Sequence, residues 1–296
     1  MKPSLGSARE SWKRSWRDLG IKLAPHCHSI FCKNAGSVWR RMRHRSRGVQ
    51  LQDLWYCSPE CLEIALRNGL PVSPRPARQV PAAAHRMPLG LLLLSRDQLT
   101  PEQLRAGLET QQSAGHGRIG EWLQTLGFVS EQQVTAALAR QWSCPVLRID
   151  SAAWQPTLFP EIPLFLLESF QMIPVDFVKV TATLHIAFSE SIDYRVLYAL
   201  EQMLRCRTVP CLVKPSILRR SLASWPEHCK NKESVFDRIT DAAEFARIIR
   251  SYSATVRASQ VRVAPCAEYT WVRLERNSDS LINLLFRAPR VESTRI

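Results

Sequence analysis

The sequence has no apolar run long enough to cross a bilayer. The longest, around Leu89 to Leu94, falls far short of the ~18 residues that a span requires. Residues 1–25 lack the apolar middle of a signal peptide and carry Lys, Arg, Glu and Asp instead, so the expected location is the cytoplasm. No glycine in the 296 residues is followed by lysine. That excludes a G-x4-G-K-[S/T] loop, whose amides and Lys cradle phosphates, and with it ATP hydrolysis by that route. G-x-S-x-G and H-E-x-x-H are also missing, and scattered pairs such as His185 with Glu190 read more simply as surface or core residues. No enzyme is expected. One G-x-G-x-x-G is present, from Gly115 to Gly120, but it follows no predicted strand and reads as a turn.

Neither an acidic block nor a low-complexity tract holds the chain open, and 45% hydrophobic with 22% charged residues is the balance of an ordinary globular protein. At ~150 residues per domain the length predicts two domains, or three small ones. Charge is biased: 40 Lys and Arg against 26 Asp and Glu leave +14. Residues 1–80 hold 15 of the basic and 5 of the acidic residues, so +10 of that excess lies in about a quarter of the chain. Such a bias fits contact with nucleic acid or an anionic surface, and equally a solvated charged face.

Nine cysteines are an odd number, and without an export signal thiolate chemistry is favoured over a disulfide framework. Cys27-x4-Cys32 and Cys57-x3-Cys61 form two pairs with 24 residues between them, the pattern in which two chain corners each offer two thiolates to one Zn²⁺. Ser58 is a good N-cap, Pro59 suits the first helical position, and Gly69 can end the helix. One thiolate then precedes the helix and the other lies in its first turn. The arrangement resembles a treble-clef zinc finger, with a structural role for the metal because so small a core rarely holds itself together. His26 and His28 flank Cys27 as alternative ligands, while Cys144, Cys206, Cys211, Cys229 and Cys266 read as packing residues. Between the pairs, residues 39–47 contain five arginines beside Trp39. They suit phosphate contact and, equally, a charged loop. Residues 71–84, with prolines at 71, 74, 76 and 81, read as a linker.

An internal repeat occurs at an offset of 30: Leu89-Gly90 aligns with Ile119-Gly120, Leu93 with Leu123, Leu99 with Val129, Leu104 with Val134, Leu108 with Leu138 and Gln111 with Gln141. Thr100-Pro-Glu-Gln103 and Ser130-Glu-Gln-Gln133 both fit the capping box, and apolar residues follow each at helical spacing. Each copy is therefore a short helix, a turn and a longer helix. The outline also fits a plain bundle or a helix-turn-helix DNA reader, although no basic residue stands between Glu131 and Ala139.

The pattern Arg-Ile-Gly-x-x-Leu followed by Leu-x-x-Gln resembles the MshE-type N-terminal domain of type II secretion and type IV pilus assembly ATPases, over residues 87–222. The resemblance implies a cyclic di-GMP ligand, secretion or pilus components as partners, and no motor. It points to Arg118, Ile119, Gly120, Leu123 and Gln141 in the second copy, and to Leu89, Gly90, Leu93 and Gln111 in the first. Arg guanidinium, close glycine backbone, leucine floor and Gln amide are chemically suited to a guanine nucleotide. The first copy departs at Pro88, where the family has Arg; Arg86 is the nearest substitute, and Pro removes an amide donor.

Residues 170–175 and 183–188 read as strands, 194–206 as a helix, 208–213 as a strand and 216–222 as a helix. After a second linker, residues 236–256 read as containing an amphipathic helix, and 261–264, 269–274 and 281–286 as a three-stranded sheet. Arg262, Arg273, Arg276 and Arg287 are assigned to its wet face or a binding face. Residues 258–265 resemble a degraded form of the segment before the motor in secretion ATPases, departing at Gln260 and Arg262. The expected fold is α+β: a zinc-knuckle head over 1–72, a linker over 73–86, the MshE-type domain over 87–222 (helical repeat 87–142, α/β part 156–222), a linker over 223–234 and an αβββ domain over 235–290. The expected function is a non-catalytic adaptor or regulator, the alternative a zinc-dependent nucleic-acid-binding regulator.

Overall fold

A computed structural model describes residues 25–34, 48–69, 86–147, 162–225, 232–237, 239, 241–276 and 280–287. The arginine-rich stretch 39–47, the linker 71–84 and Cys229 lie outside them. The fold is α+β and divides into two compact units, one formed by Met1–Arg75 with Asn231–Ile296 and the other by Pro76–Lys230.

The first unit is built on a six-stranded sheet. Its strands are β1 (Val49–Leu51), β2 (Leu54–Tyr56), β6 (Lys232–Phe236), β7 (Gln260–Cys266), β8 (Tyr269–Arg276) and β9 (Ser280–Arg287), in the spatial order β2-β1-β7-β8-β9-β6. The β7-β8-β9 meander is the expected three-stranded sheet. Two additions extend it: β1 pairs in parallel with β7 through Gln50↔Gln260 and Leu51↔Val261, and β6 pairs in parallel with β9. The knuckle segment and the C-terminal segment, read from sequence as separate domains, thus share one sheet. Helices α1 (Pro59–Arg67) and α9 (Ala242–Val256) share a core with it. That core contains Leu51, Leu62, Ile249, Val261, Leu274, Leu284 and Phe286, together with Cys57 and Cys61. Arg250 on α9 reaches Glu63 at 3.1 Å and Glu60 at 3.6 Å on α1. Arg273 does not lie on a wet face. Its side chain is 4% exposed and pairs with Glu275 at 2.7 Å, and Glu275 also faces Arg262 at 3.6 Å. A charge can be buried there because it is paired, with a Glu275 side chain that is itself 23% exposed.

The second unit begins with the repeat: α2 (Leu89–Leu94) and α3 (Pro101–Ala114) form the first copy, α4 (Ile119–Thr125) and α5 (Glu131–Trp142) the second. Both capping boxes form, Thr100 with Gln103 and Ser130 with Gln133, in each case reciprocally. Gly115 ends α3 at φ 69°, a left-handed conformation that glycine adopts without steric cost, so the G-x-G-x-x-G segment is a turn over residues 115–118, while Ile119 and Gly120 already open α4. The copies interlock, with α2 against α5 and α3 against α4. Leu93 and Leu123, equivalent residues, lie fully buried in the shared core with Leu99, Val129, Val134 and Ala137.

The α/β half follows as α6 (Leu164–Ser169), β3 (Met172–Val178), β4 (Thr183–Phe188), α7 (Tyr194–Leu204), β5 (Arg207–Leu212) and α8 (Pro215–Ser224). β3 and β4 are an antiparallel hairpin, and β5 is parallel to β4 after the α7 crossover. The end of the repeat is tied to this sheet by a parallel bridge between Val146 and Leu212 and by the bonds Leu147 N–H to Leu212 O and Leu212 N–H to Pro145 O. The two halves of the unit therefore share backbone hydrogen bonds.

Candidate functional site

Two places gather chemistry-bearing side chains. The first is the cysteine cluster. Strand β2 delivers Cys57 at its end, and Ser58 then caps α1, its hydroxyl accepting from the Cys61 N–H at 3.4 Å, which sets Cys61 one turn away. Cys27 and Cys32 come from the segment beside β2, which His28 N–H ties to Trp55 O at 3.0 Å. The four sulfurs lie within 4.8 Å of one another. Cys32 and Cys57 are 3.5 Å apart, and Cys57 and Cys61 3.7 Å apart. A tetrahedron of Zn–S bonds of ~2.3 Å needs sulfurs about 3.8 Å apart, so the donor set fits Zn²⁺.

The surroundings fit it as well. Cys57 N–H points at the Cys27 sulfur and Asn34 N–H at the Cys32 sulfur, both at 3.4 Å, while the Asn34 amide faces Cys57 at 3.7 Å. These donors stabilise thiolates. Burial pushes the Cys27 thiol up to about 11 and raises Cys57 too. At Cys32 burial acts upward but is outweighed by the Asn34 amide and the neighbouring sulfurs, and the value falls. His28 turns to the Trp55 carbonyl at 3.3 Å and lies against Tyr56, outside the cluster.

The second place is a groove of 790 Å³ between the repeat and the α/β half of the second unit. Of the nine residues singled out from sequence, Leu89, Gln111, Arg118, Ile119, Gly120 and Gln141 line it. Gly90, Leu93 and Leu123 do not; they are buried beneath it in the interlocked core. The glycines serve packing as well: a Cβ on Gly120 would stand 3.0 Å from Leu89 and 3.2 Å from Val134, and one on Gly90 would stand 2.7 Å from Leu104.

The glutamines are exchanged between copies. Gln111 donates to Gly117 O at 2.9 Å and Gln141 to Met87 O at 2.8 Å, so each long helix holds the segment leading into the other copy's short helix. Arg118 stands at the start of α4, its backbone N–H held by the Glu121 carboxylate at 3.0 Å and its guanidinium 2.7 Å from Glu190. Pro88 occupies the equivalent place before α2, and Arg86 lies 3.5 Å over the ring of Trp142, itself a groove residue. Trp142, Gln171, Glu190 and Arg219 also line the groove and escaped sequence reasoning. The last three come from the α/β half, and no local pattern marks them.

No family model matches the chain, and no curated protein does. Solved structures do. The chain is similar to MshE and to the N-terminal domain of XpsE. For MshE with cdg the identity is 27%, with 47% of this chain and 99% of that chain covered and a TM-score of 0.40. For the XpsE N-terminal domain, two crystal forms give 21% and 19% identity, 50% of this chain each, 98% and 99% of those chains, and TM-scores of 0.36 and 0.28. No described helix is long and apolar enough to cross a membrane.

Proposed function

We propose that the chain is a non-catalytic adaptor or regulator of the secretion or pilus machinery, and that its second unit binds a cyclic dinucleotide in the groove. The observation that carries this reading is convergence. Leu89 and Gln111 from one copy meet Arg118, Ile119, Gly120 and Gln141 from the other on a single cavity wall, although these residues span more than fifty positions of sequence. Arg118 supplies a guanidinium for guanine or phosphate, the leucine and isoleucine an apolar floor, and Trp142, with Arg86 over its ring, an aromatic side chain on the groove wall. Cyclic di-GMP is the ligand that the sequence resemblance implies.

In the first unit we assign Zn²⁺ to Cys27, Cys32, Cys57 and Cys61. The metal would supply structural cross-linking there and no chemistry on a substrate. The unit's role is then to present a surface to a partner in the secretion or pilus apparatus. Calorimetry with cyclic di-GMP tests the groove: the full chain gives heat of binding, and Arg118→Ala gives none while melting within about 1 °C of the native protein, because the Arg118 side chain is 59% exposed. Absence of heat with the native chain at high micromolar ligand reduces the second unit to a scaffold.

A further inference from the structure

Three carboxylates face the groove, and they are held differently. Glu121 accepts the backbone N–H of Arg118 at 3.0 Å, on its own helix. Glu131 accepts from both the N–H and the hydroxyl of Ser216 at 2.7 Å, at the start of α8. Both are engaged by backbone at a helix end. Glu190 alone is held by a side chain that the groove needs for its ligand, with 2.7 Å between its Oε2 and Arg118 Nη1. Its loop, between β4 and α7, is fixed on either side by the buried Ser189 and Ile192, so the carboxylate is presented to the groove by the fold itself.

We propose that Glu190 is a specificity-determining residue of the groove, a carboxylate that occupies the place on Arg118 to be taken by a ligand's phosphate. This rests on the reading of the groove as a nucleotide site. The physical basis is exchange of one anion for another on a single guanidinium. Arg118 is 59% exposed and Glu190 33% exposed, and a pair so open to water contributes no more than about a fivefold factor to an equilibrium. A phosphodiester that forks onto the guanidinium while its base is held elsewhere displaces it. A neutral nucleoside brings nothing to exchange and leaves the pair closed. Glu190 thus filters by charge: the groove admits a ligand carrying phosphate and lowers its affinity by the cost of releasing the carboxylate.

The test is calorimetry on the full chain, comparing native protein, Glu190→Gln, Arg118→Ala and the double variant, with cyclic di-GMP and with guanosine as probes. Glu190→Gln keeps the side chain's shape and removes its charge. It should bind cyclic di-GMP at least threefold more tightly than the native chain, show no gain for guanosine, and lose the gain when Arg118→Ala is added. Native binding with an unchanged or weaker Glu190→Gln overturns the role of Glu190 and leaves the groove reading standing. An equal gain for guanosine overturns it also, since shape rather than charge would then be responsible. Heat from none of the proteins overturns both. Thermal melting of Glu190→Gln within about 2 °C of native shows that the comparison is between folded proteins.

Discussion

Gly107 lies on α3 with the fully buried Leu123 against it; a Cβ there would stand 2.6 Å from Leu123 Cδ2 and 3.3 Å from Ile119 Cδ1. Alanine is the better helix former by about 1 kcal/mol. Forcing a methyl into a filled core costs about 1–3 kcal/mol, and Leu123 is fully buried. The second effect outweighs the first, so Gly107→Ala should lower stability by about 1 kcal/mol, read from urea unfolding, whereas an increase would show that α3 and α4 are less tightly fitted. The same closeness explains why Gly90 and Gly120 recur at one place in the repeat. A glycine in a motif suggests backbone approach to a ligand, but both have side chains of the neighbouring helices against them. Arg273 carries a similar lesson. Its charge assigns it to the wet face of the sheet, yet its side chain is 4% exposed and paired with Glu275, two residues along the same strand, which charge statistics do not reveal.

Among the helices, the caps of the repeat were legible because a capping box is written within four residues. Thr100 and Ser130 each accept the N–H of the residue three on, at 3.3 Å, while the Gln side chain returns the bond. Thr100→Ala and Ser130→Ala should each cost about 1 kcal/mol, measured as a shift in the denaturation midpoint with an unchanged slope; no shift for either would mean that water satisfies those amides equally well. In the α/β half β4, α7, β5 and α8 were legible within about two residues, β3 runs over Met172–Val178 where 170–175 was expected, and α6, six residues long, was not read at all. β1 and β2 were not legible either. Three-residue strands carry too little pattern, and the parallel bonding of β1 to β7 joins residues 210 apart, Gln50 with Gln260. β6 (Lys232–Phe236) escaped similarly, since residues 232–234 read as the end of a linker until β9 is there to pair with. The groove was half legible: the motif residues of the repeat could be named, whereas Glu190, Gln171 and Arg219 are brought in by the fold.

At the scale of the molecule, the cysteine cluster belongs to a larger core than a knuckle would have alone. Cys57 and Cys61 lie in the cluster that also holds Val261, Leu274 and Phe286 from the C-terminal sheet. Purified chain should therefore contain close to one Zn²⁺, and Cys57→Ala with Cys61→Ala should abolish it while destabilising the whole first unit. Cyclic di-GMP binding as proposed for the second unit should be unaffected, because its core shares none of these residues. Melting followed by tryptophan fluorescence and by ligand binding should separate into two transitions in the variant, and a joint collapse would argue against independent units.

The strand that joins residue 50 to residue 260 also sets a timetable for synthesis. Everything needed by the second unit leaves the ribosome before β7 does, so that unit can close while β1 and β2 wait for their neighbour. During that interval the thiols on either side of β1 and β2 lack the sheet that later shelters them. Zinc capture at this early stage would protect them from oxidation and hold the hairpin in shape until the last quarter of the chain arrives to complete it.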